Sequence, residues 1–475
     1  MSDVNRFSPP RGNSSSAILS RRTFLHGGMV AAGTVVARST LGGAGHVAPS
    51  DKITLAAIGT GGQGLQNVAA LQQFPEIQVV AVCDVNRQSG GYLSWNWARG
   101  RSQQIAGREP ARQAVDEGYA QTARSGTYRG CRAYNDYRDL LDREDVDAVM
   151  IATPDHTHAV IALAALQRGK HVYCEKPLTW SVEESRRVAE AARAAGVATQ
   201  LGNQGQAAEE ARLTCEFIAD GAIGPVHEVH VWSPARFWDW PTWEGRPRDQ
   251  PPVPDGLDWD LWLGPAPQRP YHPAYHPWTW RNWWDFGTGL LGDLGCHKLS
   301  TVFKSLQLGH PITVEASSTR RDPEIYPLGV IAHWQFPERG DMPPVTLSWY
   351  DGGLRPPQPK ELEPGRRMSD VIYIGERGTM MGHRLIPETE MQSYQVPPKT
   401  LPRSPGHLKE WVDACRGGSP PGADFDHAGL LTEVCLLGNV ALRADKKLHW
   451  DGPNLRVTND EAANQWLRRE DRTGW

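Results

Sequence analysis

Three short segments of this 475-residue chain carry residues whose types and spacing suit enzymatic chemistry. Gly59-Thr60-Gly61-Gly62-Gln63-Gly64 follows an apolar run, Glu175-Lys176-Pro177 follows another, and Asp293 stands four residues before His297. Spaced glycines between a strand and a helix let backbone N–H groups approach a diphosphate. Lysine, carboxylate and imidazole groups polarise oxygens and carry protons. The three segments predict a nucleotide-dependent enzyme, provided that the fold brings them together.

The glycine segment has the pattern of a dinucleotide fingerprint. Residues 53–58 predict a buried parallel strand, and a helical pattern begins after the last glycine. Gly59 permits the tight turn, Gly61 lets the backbone approach a pyrophosphate, and Gly64 lets the helix pack closely on the strand. These three glycines are predicted to bind the cofactor.

A second apolar run, residues 78–83, ends at Asp84. The fingerprint expects an acid about 20 residues downstream, where it binds the ribose hydroxyls. Because a carboxylate would repel a 2′-phosphate, the sequence favours NAD, although Arg87 keeps NADP possible. The alternative is an aspartate that only ends a strand in a turn.

Residues Thr153 to His158 follow the apolar strand 148–152, at the kind of strand end where open α/β sheets bind ligands. Thr153, Pro154 and His158 are predicted to contact the cofactor, with His158 closing over the nicotinamide ribose and opening the helix that runs to Arg168. No Cys, Asp or Glu set accompanies the histidines, so no metal site is predicted.

The next two predicted strands, residues 170–174 and 197–204, bring further polar groups to the same edge. Glu175 and Lys176 come directly after the first strand, and Asn203 lies at the end of the second. Ser181 and Glu184 form a capping box for the helix that follows. Glu175, Lys176 and Asn203 are predicted cofactor contacts; for the Glu-Lys pair, a surface ion pair is the alternative.

Asp293 and His297 are spaced to lie on one face of a helix. Near a helix N-terminus the histidine would be biased towards its neutral form, as a base requires. The alternative is a helix-capping aspartate and a structural histidine.

The elements that must position these groups divide the chain into three parts. Residues 1–49 are predicted to be a signal peptide and linker, 50–204 a doubly wound α/β domain with a parallel sheet, and 205–475 a substrate-binding and oligomerisation domain of α+β class. Strand-like runs at 227–232, 312–320, 329–336, 345–350 and 371–375 predict the second sheet. The polar segment 88–132 reads as a surface insertion with one helix at 111–123, and its role is open.

A long Pro- and Trp-rich passage, residues 233–282, leads to Asp293. Long irregular loops in compact domains are usually functional. The passage, with Trp283 and Trp284 directly after it, is predicted to wall a substrate pocket, because indole faces stack on sugars. Core or interface packing is the equally weighted alternative for the tryptophans.

The composition and the N-terminal sequence narrow the expected binding partners and the expected location of the protein. A net charge of −4 gives no electrostatic case for nucleic acid or anionic membranes, and seven scattered cysteines support no disulfide framework. Arg21-Arg22 before the short apolar run 27–37 resembles a twin-arginine (Tat) signal. We expect the Tat translocase as a transient partner, no stable membrane anchor, and a periplasmic or extracytoplasmic product.

The order of Gly59 to Gly64, Ala152-Thr153-Pro154 and Glu175-Lys176-Pro177 resembles the glucose-fructose oxidoreductase / inositol dehydrogenase / rhizopine-catabolism (Gfo/Idh/MocA) family. The resemblance implies a Rossmann domain followed by an α+β domain whose open, mostly antiparallel sheet often mediates oligomer contacts. It also implies that Lys176, Asp293 and His297 form the catalytic set. A homo-oligomer with tightly bound NAD is expected.

The expected reaction is hydride transfer between nicotinamide and a secondary hydroxyl of a sugar, cyclitol or glycoside. His297 would remove the hydroxyl proton, Lys176 would polarise the oxygen, and Asp293 would orient Lys176. Two alternatives stay open: glycoside cleavage by transient oxidation without net redox change, and a non-catalytic sugar-binding protein. The predicted substrate contacts are Lys176, Trp283, Trp284, Asp293 and His297.

Overall fold

The computed structural model describes residues 47–96, 100–123, 125–233 and 245–475, without the side chains of residues 49, 94–96 and 100–102. The Tat-like segment, residues 20–37, therefore lies outside the described residues. So does part of the Pro- and Trp-rich passage.

Among the described residues, the segment between 53 and 202 contains eight strands, numbered in chain order. They are β1 (Ile53–Ile58), β2 (Ile77–Cys83), β3 (Ser89–Asn96), β4 (Gly100–Ala106), β5 (Arg132–Tyr134), β6 (Ala148–Ile151), β7 (His171–Glu175) and β8 (Thr199–Gly202). The described helices of the same region and just beyond it are α1 (Gly62–Leu71), α2 (Arg108–Thr122), α3 (Tyr137–Arg143), α4 (Asp155–Gln167), α5 (Val182–Ala195) and α6 (Glu209–Ala219).

Six of these strands form one parallel sheet in the order β5-β2-β1-β6-β7-β8. The carboxyl ends of three neighbouring strands are in register, since Ile58 pairs with Ile151 and Ile151 pairs with Cys174, one residue before the end of β7. The glycine loop, the Thr-Pro segment and the Glu-Lys-Pro segment therefore leave the sheet at one edge. The predicted doubly wound Rossmann sheet is confirmed.

The second domain is built on a nine-stranded sheet. Its strands are β9 (Val226–Trp232), β10 (Thr313–Ser318), β11 (Val330–Phe336), β12 (Val345–Tyr350), β13 (Val371–Gly375), β14 (Thr379–Met381), β15 (Arg384–Ile386), β16 (Leu448–Asp451) and β17 (Arg456–Val457). The order is β15-β14-β13-β9-β12-β11-β10-β16-β17. Only β9 and β12 pair in parallel among these strands, so the predicted mostly antiparallel sheet is confirmed.

The described helices of the second domain are α7 (Trp259–Leu263), α8 (Gly289–Ser305), α9 (Glu388–Ser393), α10 (His407–Cys415) and α11 (Phe425–Ala444). Short 3-10 turns occur at Gln204–Ala207, Thr279–Asn282 and Glu461–Leu467. Helix α8 packs against α6 and α11, and α11 packs against α5 of the first domain. None of the described helices combines the length and the apolar character needed to cross a bilayer.

Local signals placed several boundaries correctly. The capping box is formed, because the Ser181 hydroxyl accepts from the Glu184 N–H while Glu184 Oε2 accepts from the Ser181 N–H. One predicted boundary was wrong, because α4 begins at Asp155 instead of His158. Residues 132–134 pair with β2 as a strand that the sequence analysis did not predict. The insertion 88–132 holds the predicted helix, as α2, and also the unpredicted antiparallel hairpin β3–β4.

Candidate active site

The site centres on an ion pair between the two domains. Lys176, directly after β7, donates from Nζ to Asp293 Oδ1 on α8 at 2.5 Å. Their side chains are 17% and 19% exposed, so the pair is shielded but reachable. Burial lowers the pKa of Lys176, but the carboxylates of Asp293 and Glu175 raise it, and the net shift is upward. The structure thus brings together two of the three predicted catalytic groups as a charged pair.

His297 lies one helical turn after Asp293 and is oriented by Asn203. Nδ1 of His297 is 3.2 Å from Asn203 Oδ1, while Asn203 Nδ2 donates to the carbonyl of Cys296 at 2.9 Å. Because the Asn203 oxygen can only accept, Nδ1 carries the proton and Nε2 keeps its lone pair. The fully buried amide of Asn203 thus contacts His297, and the predicted contact of Asn203 with the cofactor stays a prediction.

The neutral state of His297 has a different cause from the one predicted. Helix α8 begins at Gly289, so the histidine is more than two turns from the N-terminus, beyond the reach of the helix dipole. Burial and, secondly, the Lys176 ammonium lower the pKa of His297 to about 3. The imidazole is therefore neutral at physiological pH and able to accept a proton.

Arg281 is a second cation at the site that the sequence analysis missed. Its Nε is 4.0 Å from Asp293 Oδ1, and its guanidinium lies 3.9 and 4.2 Å from the ring centroids of Trp278 and Trp280. Burial raises the pKa of Asp293, but Lys176 and Arg281 lower it and the net shift is downward. The sequence feature that could have identified Arg281 is its position among tryptophans, shortly before the Asp-x-x-x-His pattern.

Asp155 is a buried carboxylate that the sequence analysis also did not assign to the site. It is 4% exposed, and its Oδ2 accepts from the Thr288 N–H at 3.1 Å and from the Thr288 hydroxyl at 2.7 Å. Burial raises the pKa of Asp155 to about 7, although Thr288 opposes the shift. Thr288 is the residue before α8, so this carboxylate connects the Thr-Pro segment to the helix of Asp293 and His297.

The fingerprint glycines are sterically required. Gly59 has a φ of +83°, and a Cβ on it would lie 2.6 Å from the Ala152 carbonyl. A Cβ on Gly64 would lie 2.0 Å from the carbonyl oxygen of Gly59, which confirms the close approach of helix to strand.

Leu65 is the first to make an i→i−4 bond, to Gly61, so the N-terminus of α1 points towards the glycine loop. A Cβ on Gly61 would meet the Tyr92 ring at 2.9 Å, and a Cβ on Gly62 would meet the Leu93 carbonyl oxygen at 1.9 Å, so the hairpin β3–β4 occupies the space beside these glycines. The binding of a diphosphate at this loop stays a prediction.

Asp84 stands beside the glycine loop, as the fingerprint expects. Its Oδ2 accepts from the Thr60 N–H at 2.8 Å, and its Oδ1 accepts from the Asn86 N–H at 2.8 Å. Burial raises the pKa of Asp84, and these hydrogen bonds oppose that rise. Oδ2 also accepts from the Thr60 hydroxyl at 3.3 Å, so Oδ1 is the oxygen with a lone pair left for a ribose hydroxyl. The position fits the predicted role, which stays a prediction.

Glu175 and His158 hold the loops around the site. Glu175 is 6% exposed and accepts from Asn67 Nδ2 of α1 at 2.9 Å, which ties β7 to the first helix. His158 is 1% exposed, with Nδ1 2.7 Å from the Pro177 carbonyl and Nε2 2.8 Å from the Thr153 carbonyl. Because both ring nitrogens face protein carbonyls, His158 supports a cofactor site through the two loops that it joins. The predicted contact of His158 with the nicotinamide ribose stays a prediction.

Thr153 and Pro154 lie at the predicted strand end. The Thr157 hydroxyl donates to Thr153 Oγ1 at 2.8 Å, and Pro154 is the residue before α4. Both therefore border the site, and their contact with a cofactor stays a prediction.

Trp283 and Trp284 do not form an open substrate wall. Trp283 is fully buried in an aromatic cluster and donates from Nε1 to the Ala274 carbonyl at 2.8 Å. Trp284 is 7% exposed, and its ring centroid lies 5.2 Å from that of Tyr326 in a tilted arrangement. The packing interpretation fits both residues, because both indoles are buried. Across the described residues no group of His, Cys, Asp and Glu side chains has the arrangement of a metal site.

Comparison with known proteins points to one family of oxidoreductases. Residues 96–203 match the Gfo/Idh/MocA description "Oxidoreductase family, NAD-binding Rossmann fold", and residues 210–330 match "Oxidoreductase family, C-terminal alpha/beta domain". The chain is thus similar to the Gfo/Idh/MocA oxidoreductases in parts of both domains. The matched regions include Lys176, Asp293 and His297, together with strand β7 and helix α8 that position them.

Several curated Gfo/Idh/MocA relatives are similar over limited stretches. Levoglucosan dehydrogenase of Pseudarthrobacter phenanthrenivorans is 37% identical over 92 residues, 19% of this chain and 24% of that protein. Inositol 2-dehydrogenase of Rubrobacter xylanophilus is 30% identical over 178 residues, 37% of this chain and 42% of that protein. The chain thus spans a quarter to two fifths of the length of these relatives.

Solved structures share the fold over most of the chain. The WlbA dehydrogenase from Bordetella pertussis in complex with NADH and UDP-GlcNAcA matches with a TM-score of 0.53 and 18% identity, covering 84% of this chain and 99% of that one. The NAD-binding protein from Listeria innocua matches with a TM-score of 0.54 and 18% identity, covering 84% and 97%. These similarities establish the two-domain Gfo/Idh/MocA fold.

Proposed function

We propose that this chain is an NAD-dependent oxidoreductase that acts on a secondary hydroxyl of a sugar, cyclitol or glycoside. The observation that carries the proposal is the meeting of Lys176, Asp293 and His297 on the strand edge that also presents the glycine loop. The names of the curated relatives, among them levoglucosan dehydrogenase and inositol 2-dehydrogenase, support polyhydroxylated substrates.

The residues around the glycine loop fit a nicotinamide dinucleotide. The turn at Gly59, the close packing at Gly64 and the remaining lone pair on Asp84 Oδ1 suit the diphosphate and one ribose. The carboxylate of Asp84 disfavours a 2′-phosphate, which supports NAD over NADP. When bound, the nicotinamide would supply the hydride acceptor or donor.

The protein's own groups handle the substrate proton and oxygen. His297 is neutral and presents Nε2, so it accepts the hydroxyl proton of an alcohol or returns it to a ketone. The Lys176 ammonium, kept charged by Asp293, stabilises the developing charge on the same oxygen. Acid–base help of this kind contributes roughly 10²–10⁴-fold in rate.

A second candidate is glycoside cleavage, in which oxidation of one carbon acidifies a neighbouring C–H and the ketone is reduced again after elimination. The same three residues serve both routes. The specific observation that favours cleavage is the Tat-like Arg21-Arg22 segment, because an exported enzyme has no obvious supply of free NAD and a route without net redox change recycles a retained cofactor. Tight NAD binding is part of this candidate.

Export and assembly belong to the proposal as well. Arg21-Arg22 and the apolar run after it support Tat export to the periplasm. The open second sheet supports a homo-oligomer. Cell fractionation of the full chain, compared with an Arg21→Lys, Arg22→Lys variant, tests export; light scattering of the purified protein tests assembly.

Substrate turnover distinguishes the enzyme candidates. The purified protein is denatured to detect released NAD, and the native protein is given a panel of polyols and glycosides with and without added NAD. Ketone formation that consumes NAD supports the dehydrogenase, and aglycone release without NADH supports cleavage. Lys176→Met and His297→Ala should abolish either reaction, whereas His449→Ala, at an exposed histidine, should not. Sugar binding without turnover in all variants would indicate a non-catalytic binding protein.

A further inference from the structure

Arg281 has hydrogen-bond donors without a partner in the described part of the chain. Its Nη1 donates to the Trp278 carbonyl at 3.2 Å, and its Nε is 4.0 Å from Asp293 Oδ1, which is beyond hydrogen-bond distance. Nη2 contacts no acceptor among the described residues, although each nitrogen of a guanidinium carries N–H donors. The Arg281 side chain is 18% exposed, so a ligand in the site can reach these donors.

Two indoles restrict the position of this guanidinium. The Cζ atom of Arg281 lies over both rings, 3.9 Å from the centroid of Trp278 and 4.2 Å from that of Trp280. Trp280 is 6% exposed, so the surrounding packing holds its ring in place. Contacts with ring faces stabilise a cation but supply no oxygen acceptor for its N–H groups. Arg281 is therefore held in place beside Asp293 with donors left for a ligand.

The neighbouring carboxylates only partly compensate the charge of Arg281. Burial lowers the pKa of Arg281 more than Asp293, Asp155 and Glu175 raise it. Asp293 is also shared, because Lys176 donates to the same Oδ1 atom. A buried cation is stabilised by an additional anion when its own counter-charge is incomplete. The site is thus suited to a ligand that brings a negative charge to Arg281.

We propose that Arg281 binds a carboxylate of the substrate, so that the substrate is a sugar acid of the hexuronate class or its glycoside. The planar fork of N–H groups on a guanidinium matches a carboxylate, and one incompletely compensated cation matches its single charge better than the double charge of a phosphate. Lys176 and Arg281 both face Asp293 Oδ1, so a sugar whose hydroxyl reaches Lys176 also comes within reach of Arg281. This inference rests on the proposed function and narrows its substrate class, with Arg281 as the specificity-determining residue.

Sugars that differ only at C6 test the proposal in equilibrium binding. The protein is loaded with NADH, so that an alcohol binds without being oxidised, and calorimetry measures the Kd of each sugar. The pairs are methyl β-D-glucuronide with methyl β-D-glucoside and methyl β-D-galacturonide with methyl β-D-galactoside, and D-glucose 6-phosphate is a further probe. At least one hexuronate should bind about ten- to hundredfold more tightly than its neutral counterpart, as expected for hydrogen bonds between charged groups.

Variants of Arg281 show whether this residue causes the preference. In Arg281→Leu, the affinities for the two members of each pair should become nearly equal. Arg281→Lys keeps the charge without the planar fork and should retain part of the preference. Arg443→Leu is the control, because Arg443 also lies over indoles, those of Trp284 and Trp466, and its loss should leave the preference unchanged. Thermal unfolding shows whether each variant is folded.

The outcomes separate this inference from the proposed function. Equal affinity within both pairs, tighter binding of the phosphate, no binding of either hexuronate, or an unchanged preference in folded Arg281→Leu overturns the inference. Oxidation of neutral sugars with NAD would at the same time uphold the proposed function. Absence of NADH binding in the wild type overturns the proposed function and this inference with it.

Discussion

The carboxylate of Asp155 accepts both the backbone N–H and the hydroxyl of Thr288. Thr288 precedes the helix that carries Asp293 and His297, yet its hydroxyl makes no capping bond to that helix. Instead it donates to a residue at the start of α4, in the first domain. The start of the catalytic helix is thereby fixed by the strand edge that presents the Thr-Pro segment.

Asp155 should make the stability of the protein depend on pH. Its pKa is raised from 3.8 to about 7, so its contribution is fully present below about pH 4 and is lost as pH rises through about 7. In Asp155→Asn the amide oxygen still accepts from Thr288 but cannot ionise. Between pH 4 and 8 the unfolding free energy of the wild type should fall by up to about 4 kcal/mol relative to that of Asp155→Asn. Urea unfolding at both pH values measures this, and parallel pH profiles would contradict it.

Asp155→Ala has a different expected outcome from Asp155→Asn. It leaves the buried N–H and hydroxyl of Thr288 without their acceptor, at a cost of about 1–3 kcal/mol. Because α8 then loses its anchor, kcat should fall while NADH affinity stays near that of the wild type. Retention of wild-type kcat would show that α8 is positioned by other contacts.

Asn203 should set the tautomer and the pKa of His297. In Asn203→Asp a carboxylate faces Nδ1, which stabilises the imidazolium and raises the pKa of His297 from about 3. The kcat of Asn203→Asp should then fall as the pH decreases, because the His297 imidazole becomes protonated. The wild type should show no such fall in the same pH range. Asn203→Leu removes the acceptor and should lower kcat at all pH values. Identical profiles for all three proteins would exclude the assigned role.

Arg281 should affect Asp293 through charge as well as packing. Arg281→Leu removes a cation that lowers the pKa of Asp293, so the net pKa of that carboxyl should rise and kcat should fall at low pH. Arg443→Leu is the matched control, since its guanidinium also stacks on indoles, 3.6 Å from the Trp466 centroid and 5.3 Å from that of Trp284. Both variants should lose stability, and only Arg281→Leu should shift the kcat–pH profile.

Gly64→Ala should damage the nucleotide site more than an ordinary glycine substitution. Its Cβ would lie 2.0 Å from the Gly59 carbonyl oxygen, so α1 must move away from β1. Gly196→Ala is the control, because that left-handed residue ends α5 with nothing within 4 Å of its Cβ. The control should cost about 1 kcal/mol in unfolding free energy and leave NADH binding unchanged. Gly64→Ala should weaken NADH binding at least tenfold; equal binding by both variants would contradict this.

The sequence by itself determined the fold class and the segments that carry chemistry. The apolar pattern of the strands, the spaced glycines and the Ser181–Glu184 capping box all depend on short-range sterics and hydrogen bonds. Local residue order therefore specifies these features. The parallel order of the sheet then places Gly59, Thr153 and Lys176 at one edge. For the same reason Asp293 and His297 could be assigned to one face of a helix.

Only the tertiary structure decided which side chains meet. Trp283 is buried in an aromatic cluster, Asn203 orients His297, Arg281 approaches Asp293, and Tyr92 covers Gly61. Each of these depends on the path of an irregular loop or insertion and on contacts between residues far apart in the chain. Such contacts are fixed by packing of the whole domain, and residue periodicity along one segment carries no information about them.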